Sequence, residues 1–274
     1  MIRQPALEGK FYPSSKQEVF ELISAFDIKS NYKLPNTKKS VTGAVLPHAG
    51  HVYSGAQTIP FFQYLKKHDI VPDTFIIIHP NHSGNGARIA MDEHIAWSNC
   101  IGKVEIDIAL SEKLPFKKDA SVHKEEHSAE VIIPFIQYYF PNDPVKILPI
   151  CVHRLQLSEV DNIAQSLNQA MKELNRHALV IASSDFSHFL TPEKGYQKDQ
   201  LVLDKIKERD IPGLMETVVS NDISVCGYCP ISTLMSYSAL INKNYKTTIM
   251  ARGHSGMIYP AHDVVDYISI LFHG

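Results

Sequence analysis

Short apolar runs alternate with longer amphipathic segments along the whole chain of 274 residues. The apolar runs are rich in valine and isoleucine and carry few charges, which is typical of strands buried on both faces of a sheet. The predicted strands are 41–46, 74–79, 145–151, 178–183, 245–251 and 264–271. The amphipathic segments predict helices at 57–67, 106–114, 128–139, 158–174, 194–209 and 231–241. This alternation predicts an α/β fold, a three-layer α/β/α sandwich with a central mixed, largely parallel sheet.

Length and composition fit a single domain that spans residues 1–274. Hydrophobic residues make up 44% of the chain and charged residues 20%, which is ordinary for a globular protein. The net charge of −2 provides no basic field for nucleic acid or an anionic membrane. The first residues do not resemble a signal peptide, no apolar run is long enough to cross a membrane, and four cysteines form no disulfide pattern. We therefore expect a cytoplasmic protein.

Three of the predicted strands end in a turn that contains histidine. His48 follows strand 41–46, His82 follows strand 74–79, and His188 follows strand 178–183. In α/β folds, functional sites gather at the carboxyl ends of strands. A single histidine in a loop is usually just a surface residue, but three strand ends of the same design indicate one shared site.

Several other polar residues have both a structural and a functional interpretation. Glu126 and Glu130 can be first-turn carboxylates of helix 128–139, where the helix dipole stabilises negative charge. Asp185 can be an ordinary turn residue. Cys226 and Cys229 can be half of a zinc site or a redox pair. Because the chain contains no second pair of this spacing, a structural four-cysteine zinc site is excluded.

The order and spacing of the motifs resemble those of the Memo family, and the matching segments run through nearly the whole chain. They are Arg3-Gln4-Pro5-Ala6, Gly9-Lys10-Phe11-Tyr12-Pro13, Pro47-His48-Ala49-Gly50, Tyr53-Ser54-Gly55, Pro80-Asn81-His82, Glu126-His127-Ser128, Ser183-Ser184-Asp185-Phe186-Ser187-His188 and Cys226-Gly227. The resemblance implies a fold related to the class III extradiol non-haem iron dioxygenases. Microbial members are called AmmeMemoRadiSam system protein B, so the resemblance also implies an Ammecr-type protein and a radical-SAM protein as partners.

The resemblance assigns six site residues: the metal ligands His48, His82 and Cys226, and the catalytic candidates Asp185, His188 and His127. The dioxygenases bind iron(II) through two histidines and one carboxylate, and Cys226 stands where that carboxylate would be. Thiolate is a softer ligand, and it shifts the preference towards copper(I), zinc or a thiolate-bound iron. We therefore expect one transition metal, iron or copper, with zinc possible, and extradiol cleavage does not follow from the fold alone.

Three functions remain open at this point. The first is a metal-binding or scaffold protein that serves a radical-SAM partner; the second is a dioxygenase-like oxidoreductase acting on a small substrate; the third is a zinc-dependent hydrolase with a metal-activated water. In an enzyme, His188 would act as general acid or base, Asp185 would accept its N–H and fix its tautomer, and His127 would be a second proton-transfer group. We also expect His51 and Tyr53 at the mouth of the cleft. Segment 251–256 is interpreted as a glycine turn, with an approach to the cleft as the alternative.

Overall fold

A computed structural model describes residues 1–29, 32, 35 and 38–274. The strands in this part of the chain are β1 (Ile2–Arg3), β2 (Val41–Leu46), β3 (Thr74–Pro80), β4 (Ile89–Met91), β5 (Ala96–Asn99), β6 (Gly102–Glu105), β7 (Lys117–Lys118), β8 (Lys146–Val152), β9 (Ala178–Ser183), β10 (His188–Leu190), β11 (Lys246–His254) and β12 (Val264–His273). The helices are α1 (Lys16–Lys29), α2 (His51–Lys67), α3 (Ile108–Glu112), α4 (Ile133–Tyr139), α5 (Leu157–Leu174), α6 (Pro192–Glu208), α7 (Ile211–Ser220) and α8 (Tyr228–Ile241).

Four parallel strands form the centre of the large sheet, in the order β2-β9-β3-β8. Antiparallel β12 continues the sheet beyond β2 and also pairs with β10 and β11, while antiparallel β4 continues it beyond β8 and is followed by β7. Helices α1, α2 and α4 pack together, and α5, α7 and α8 form a second group, so helices flank the sheet. The predicted α/β fold with a mixed sheet is confirmed, with its parallel part in the middle.

The predicted strands 41–46 and 178–183 coincide with β2 and β9, whose residues are almost all buried. Three local predictions are wrong. The helix expected at 57–67 begins earlier, at His51. The helix expected at 128–139 begins only at Ile133, after a 3₁₀ turn at Glu130–Ile132. The glycine turn expected at 251–256 is largely strand, because β11 continues through Gly253 to His254 along β12. None of the described helices combines the length and apolarity needed to cross a membrane.

The N-terminal strand β1 is fixed to segment 123–130, which carries residues of the candidate site. The Arg3 guanidinium donates hydrogen bonds to Glu130 Oε2 (2.7 Å), to the His123 carbonyl (2.7 Å) and to the Glu126 carbonyl (2.9 Å), and it lies 4.1 Å from the centre of the Trp97 ring. Both partners of this ion pair are buried, so removing one would leave an uncompensated charge in the interior. Glu130 is therefore an anchor of the N-terminal segment rather than a first-turn helix carboxylate.

Candidate metal centre

The turns that follow β2, β3 and β9 meet at one edge of the sheet, because these strands are parallel neighbours. His48 follows β2, His82 follows β3, and the loop before α8 brings in Cys226. The rings of His48 and His82 are 5.3 Å apart and nearly perpendicular. A cleft of about 410 Å³ opens here, and His82, His188 and Cys226 line it. The strand ends therefore form the shared site that their histidines predict.

The three predicted ligands present their donor atoms to one another. A ring nitrogen of His48, a ring nitrogen of His82 and Cys226 Sγ all lie within 4.8 Å of each other. His48 Nε2 is 3.2 Å from Cys226 Sγ. Nitrogen and sulfur ligands of one tetrahedral ion are separated by about 3.5 Å at usual bond lengths. This spacing fits a single ion held by the three side chains.

The hydrogen bonds of His48 determine which of its nitrogens can bind a metal. Ser183 Oγ donates its only proton to the Ser128 carbonyl at 2.6 Å, so this oxygen must accept the hydrogen bond from His48 Nδ1 at 2.7 Å. The proton of His48 is thus on Nδ1, and the lone pair of Nε2 faces Cys226. Burial, together with neighbouring His127 and His82, holds the pKa of His48 well below its usual range, which keeps the imidazole neutral.

Glu126 orients His82 in the same way. One oxygen of Glu126 accepts the Nδ1–H of His82 at 2.9 Å, and the other accepts the His82 backbone N–H, also at 2.9 Å. Although burial opposes it, the hydrogen bonds from the ring and the backbone of His82 lower the pKa of Glu126, so the carboxylate is ionised. Nε2 of His82 is left free for a ligand. A carboxylate behind a metal-binding histidine is a common arrangement that fixes the ring and raises its basicity.

A second group of possible ligands consists of His82, Glu126 and His127. This set has the two-histidine, one-carboxylate composition of non-haem iron sites. However, the Glu126 side chain is only 4% exposed, and its Oε1 also accepts hydrogen bonds from the Ser128 hydroxyl (2.7 Å) and the Ser128 N–H (3.0 Å). The carboxylate is already saturated with donors. We therefore assign Glu126 to orienting His82, and the set containing Cys226 is the better candidate for a metal centre.

Cys226 is a thiol in the absence of a metal. Burial raises its pKa above the usual range, and the nearby Asp185 carboxylate adds to this effect. The Asp185 backbone N–H points at Cys226 Sγ from 3.2 Å, which favours the thiolate once it forms. Metal binding at this site must therefore displace a proton from sulfur.

Asp185 and His188 lie in the same turn but do not form the pair that we predict. His188 donates its Nδ1–H to the Ser224 carbonyl at 2.8 Å, so Ser224 fixes its tautomer rather than Asp185. Asp185 instead accepts the backbone N–H of His48 at 2.8 Å, and burial raises its pKa to about 6. It joins the turn after β2 to the turn after β9. His188 remains at the cleft with Nε2 as its free nitrogen.

The other predicted residues are divided between the cleft and the interior. His127 stacks on His82, with ring centres 4.7 Å apart, and its Nδ1 is 3.3 Å from Glu126 Oε1. His51 does not line the mouth of the cleft, because it is buried and donates Nε2–H to the Val131 carbonyl at 2.7 Å. Tyr53 is exposed beside the ring of Tyr259 and is not among the described residues that line the cleft.

Cys229 also lines the cleft but is not joined to Cys226. Both are free thiols, and Cys229 is the second residue of α8. Its sulfur accepts the backbone N–H of Leu155 at 3.3 Å, which ties it to the loop after β8. This geometry gives Cys229 a structural contact and does not place it among the ligand atoms that converge with those of His48 and His82.

Comparison with known proteins decides the family. A family model described as "Memo-like protein" matches residues 3–271. The chain belongs to the Memo family. It is 36% identical over 283 residues to a MEMO1 family protein of Pyrobaculum arsenaticum, with 99% of both chains covered. A MEMO1 family protein of Methanococcoides burtonii is 35% identical over 273 residues, with 98% of this chain and 99% of the relative covered. The predicted family is confirmed.

The Memo-like fold also has a solved structural neighbour, the uncharacterized protein JW3007 from Escherichia coli K12. The TM-score is 0.51 at 11% sequence identity, and the superposition covers 85% of this chain and 100% of the neighbour. At this identity the likeness extends to the fold alone. It supports the α/β architecture and says nothing about the chemistry of the cleft.

Proposed function

We propose that this Memo family protein binds one transition-metal ion through His48, His82 and Cys226. The observation that carries the proposal is the orientation of the two imidazoles. Each has its Nδ1–H held by an acceptor, Ser183 or Glu126, which leaves Nε2 unprotonated. His48 Nε2 is 3.2 Å from Cys226 Sγ, and a ring nitrogen of His82 lies within 4.8 Å of the same sulfur. Interior His79 also has a hydrogen-bonded Nδ1 and an unpaired Nε2, but it joins no group of possible ligands among the described residues, so the convergence with Cys226 Sγ is what favours a metal ligand.

We propose iron or copper as the bound metal, because one soft thiolate joins two imidazoles and no carboxylate completes the set. Such an ion would supply redox chemistry to a small molecule that binds it in the cleft. The cleft residue His188 supports use of the site as a dioxygenase-like oxidoreductase, since its Nε2 could accept or return a proton of a bound molecule. The association with an Ammecr-type and a radical-SAM protein remains a prediction from the family resemblance.

The proposal is tested by the metal content of protein purified without a polyhistidine tag and without oxygen. Mass spectrometry should find close to one iron or copper per chain, and the Cys226→Ala variant should lose it. Cys100→Ala is the matched control, because Cys100 contacts the Pro13 carbonyl and lies outside the cleft. Zinc in place of iron or copper would redirect the proposal to a hydrolase. Absence of metal after anaerobic loading with all three ions would reject it.

A further inference from the structure

Two residues of the cleft have an unusual backbone conformation. Among the described residues other than glycine, six have a positive φ. Four of these, Asp69, Asn175, Arg209 and Asp222, lie at the ends of α2, α5, α6 and α7. A left-handed residue is the ordinary way to end a helix. The other two, Arg154 and Phe189, end no helix, and both line the cleft.

Phe189 is turned towards solvent by a bulge in the sheet. It lies between His188 and Leu190 of β10, at the point where the register with β12 shifts, and its φ is 56°. It is 77% exposed, whereas the other phenylalanines are at least partly buried. A positive φ is unfavourable for a bulky side chain, and bulges next to functional sites often redirect one. The fold thus holds an aromatic ring at the cleft where packing does not require one.

Arg154 brings an unpaired positive charge to the same cleft. It follows β8 with a φ of 46°, and Arg88 holds its carbonyl while pairing with Glu159. Four other arginines form ion pairs with carboxylates, but Arg154 has no such partner within the part of the chain that the structure describes. Burial raises the pKa of Tyr228 to about 12, and the guanidinium of Arg154 opposes this rise, so the charge lies close to another cleft residue.

The residues that line the cleft favour binding of an anion that also has an apolar part. No aspartate or glutamate is among the described residues that line the cleft, and Pro80, Val152, Val225 and Pro230 form apolar parts of its wall. A guanidinium with free donors binds carboxylates in a planar, two-point geometry. An exposed phenyl ring offers a face or an edge to another aromatic ring. A volume of about 410 Å³ accommodates a small molecule rather than a polymer.

We propose that the cleft binds a small aromatic carboxylate, with the carboxylate on Arg154 and the ring against Phe189. This inference rests on the proposed function, in that the cleft beside His48, His82 and Cys226 is taken as the ligand site. Arg154 and Phe189 are specificity-determining residues, and neither belongs to the ligand set. Their backbone conformations keep both side chains at the cleft before any ligand arrives, which reduces the entropy lost on binding.

The test uses benzoate as the probe and two analogues that each lack one feature. Benzamide keeps the ring without the charge, and cyclohexanecarboxylate keeps the charge without the aromatic ring. Dissociation constants are measured by calorimetry and ligand-observed NMR on metal-loaded and metal-free protein, so that binding to the metal itself is separated. The variants are Arg154→Met and Phe189→Leu. Their controls are Lys243→Met and Tyr259→Leu, which alter exposed residues outside the cleft.

Benzoate is expected to bind at least about tenfold more tightly than benzamide, and Arg154→Met should remove this preference in both forms of the protein. Phe189→Leu should weaken benzoate about three- to tenfold and leave cyclohexanecarboxylate nearly unchanged. Equal binding of the three probes, or an equal effect of the variants and their controls, would overturn the inference. Metal stoichiometry of every sample is measured in parallel. If the metal content is normal but benzoate is not preferred over benzamide, only this inference is rejected. If benzoate is preferred but no metal binds, only the metal proposal is rejected.

Discussion

Three short segments of the chain each supply one histidine to the cluster around the candidate metal centre and one to the interior. The pairs are His48 and His51, His82 and His79, and His127 and His123. The two histidines of each pair are three or four residues apart, so both lie in the same short segment of sequence. They differ in what surrounds the ring. The rings of His48, His82 and His127 pack against one another, so that each ring contacts the other two.

The interior histidines behave as neutral core aromatics. His51 packs against Tyr12 and Phe135, and His123 packs against His79 and Trp97. Burial lowers the pKa of His51 and of His123 to about 4. Nδ1 of His51 and Nε2 of His79 have no hydrogen-bond partner in the described structure. These nitrogens are enclosed by the core and do not converge on a common point with other ligands.

Around the candidate metal centre, each predicted histidine ligand has an acceptor at Nδ1, and one of its ring nitrogens lies within 4.8 Å of Cys226 Sγ. Ser183 serves His48, and Glu126 serves His82. The difference between the two groups is therefore the convergence of their free nitrogens, because interior His79 also has a hydrogen-bonded Nδ1 and an unpaired Nε2. Ring nitrogens of His48 and His82 converge with Cys226 Sγ, whereas those of the interior histidines join no such group among the described residues. Histidine content alone does not predict a metal site.

The largest difference is expected between His48→Phe and His51→Phe. Both substitutions exchange a buried imidazole for a ring of similar shape. His48→Phe removes a proposed ligand and should lower the metal affinity by more than about 100-fold, because loss of a supporting residue alone costs 10–100-fold. His51→Phe should leave the affinity within about threefold. Competition against a chromophoric chelator measures both. Equal losses of affinity would erase the distinction between cleft and interior.

Glu126→Gln should lower the metal affinity by about 10- to 100-fold, because an amide neither fixes the His82 tautomer nor raises the basicity of the ring as a carboxylate does. Glu125→Gln is the matched control, since this neighbouring carboxylate is exposed. The same chelator competition applies. If Glu126→Gln abolished binding as completely as Cys226→Ala, Glu126 would be a ligand, and the alternative set with His127 would be correct.

The interior histidines predict a loss of stability in acid. An unfolded imidazole titrates near 6.5, whereas folded His51 and His123 have a pKa of about 4. The unfolded state therefore binds more protons between these values, so the free energy of unfolding is fully retained above about pH 6.5 and falls as the pH approaches 4. His123→Phe should reduce this loss by up to about 3 kcal/mol.

Urea unfolding of the metal-free protein from pH 4 to pH 7.5 measures this effect, with His262→Asn as control because the side chain of His262 is 84% exposed. An unchanged pH dependence in His123→Phe would show that this imidazole is not held neutral by the core.

The smallest effect on metal binding is expected for His188→Ala. His188 is bonded to Ser224 through Nδ1 and lies at the cleft outside the proposed ligand set, so the metal affinity should change less than about threefold. Any oxygen-dependent turnover should fall strongly, because His188 lines the cleft with its Nε2 free, whereas His127 is not among the described residues that line it. Retention of turnover with unchanged metal content would remove His188 from the catalytic candidates.

Hydrophobic patterning predicts most of the long elements of the fold, but it misses α1 and those elements that depend on tertiary contacts. Strands β2 and β9 are buried on both faces, so their apolar runs stand out. Helix α7 was not predicted, because Pro212 and Gly213 near its start look like a turn. In the structure Asp210 caps the Gly213 N–H, and proline is tolerated in the first turn. Strands β4 to β7 have only two to four residues, too few for any periodicity.

The candidate site can likewise be predicted from the sequence only in part. Parallel strands bring their carboxyl ends together, so histidines at these ends predict a common cleft without any coordinates. The resemblance to the Memo family then selects His48 over His51 and His82 over His79. The acceptors could not be predicted, because Ser183 lies 135 residues from His48 and Glu126 lies 44 residues from His82. Only the folded chain joins them.

The central claim is that two imidazoles and one thiolate hold the metal, and X-ray absorption spectroscopy of the metal-loaded protein tests it most directly. We expect one sulfur at about 2.3 Å and two imidazole nitrogens near 2.0–2.1 Å, with the sulfur absent in Cys226→Ala. A spectrum of loaded wild-type protein with nitrogen and oxygen ligands and no sulfur would contradict the account and assign the metal to His82, Glu126 and His127.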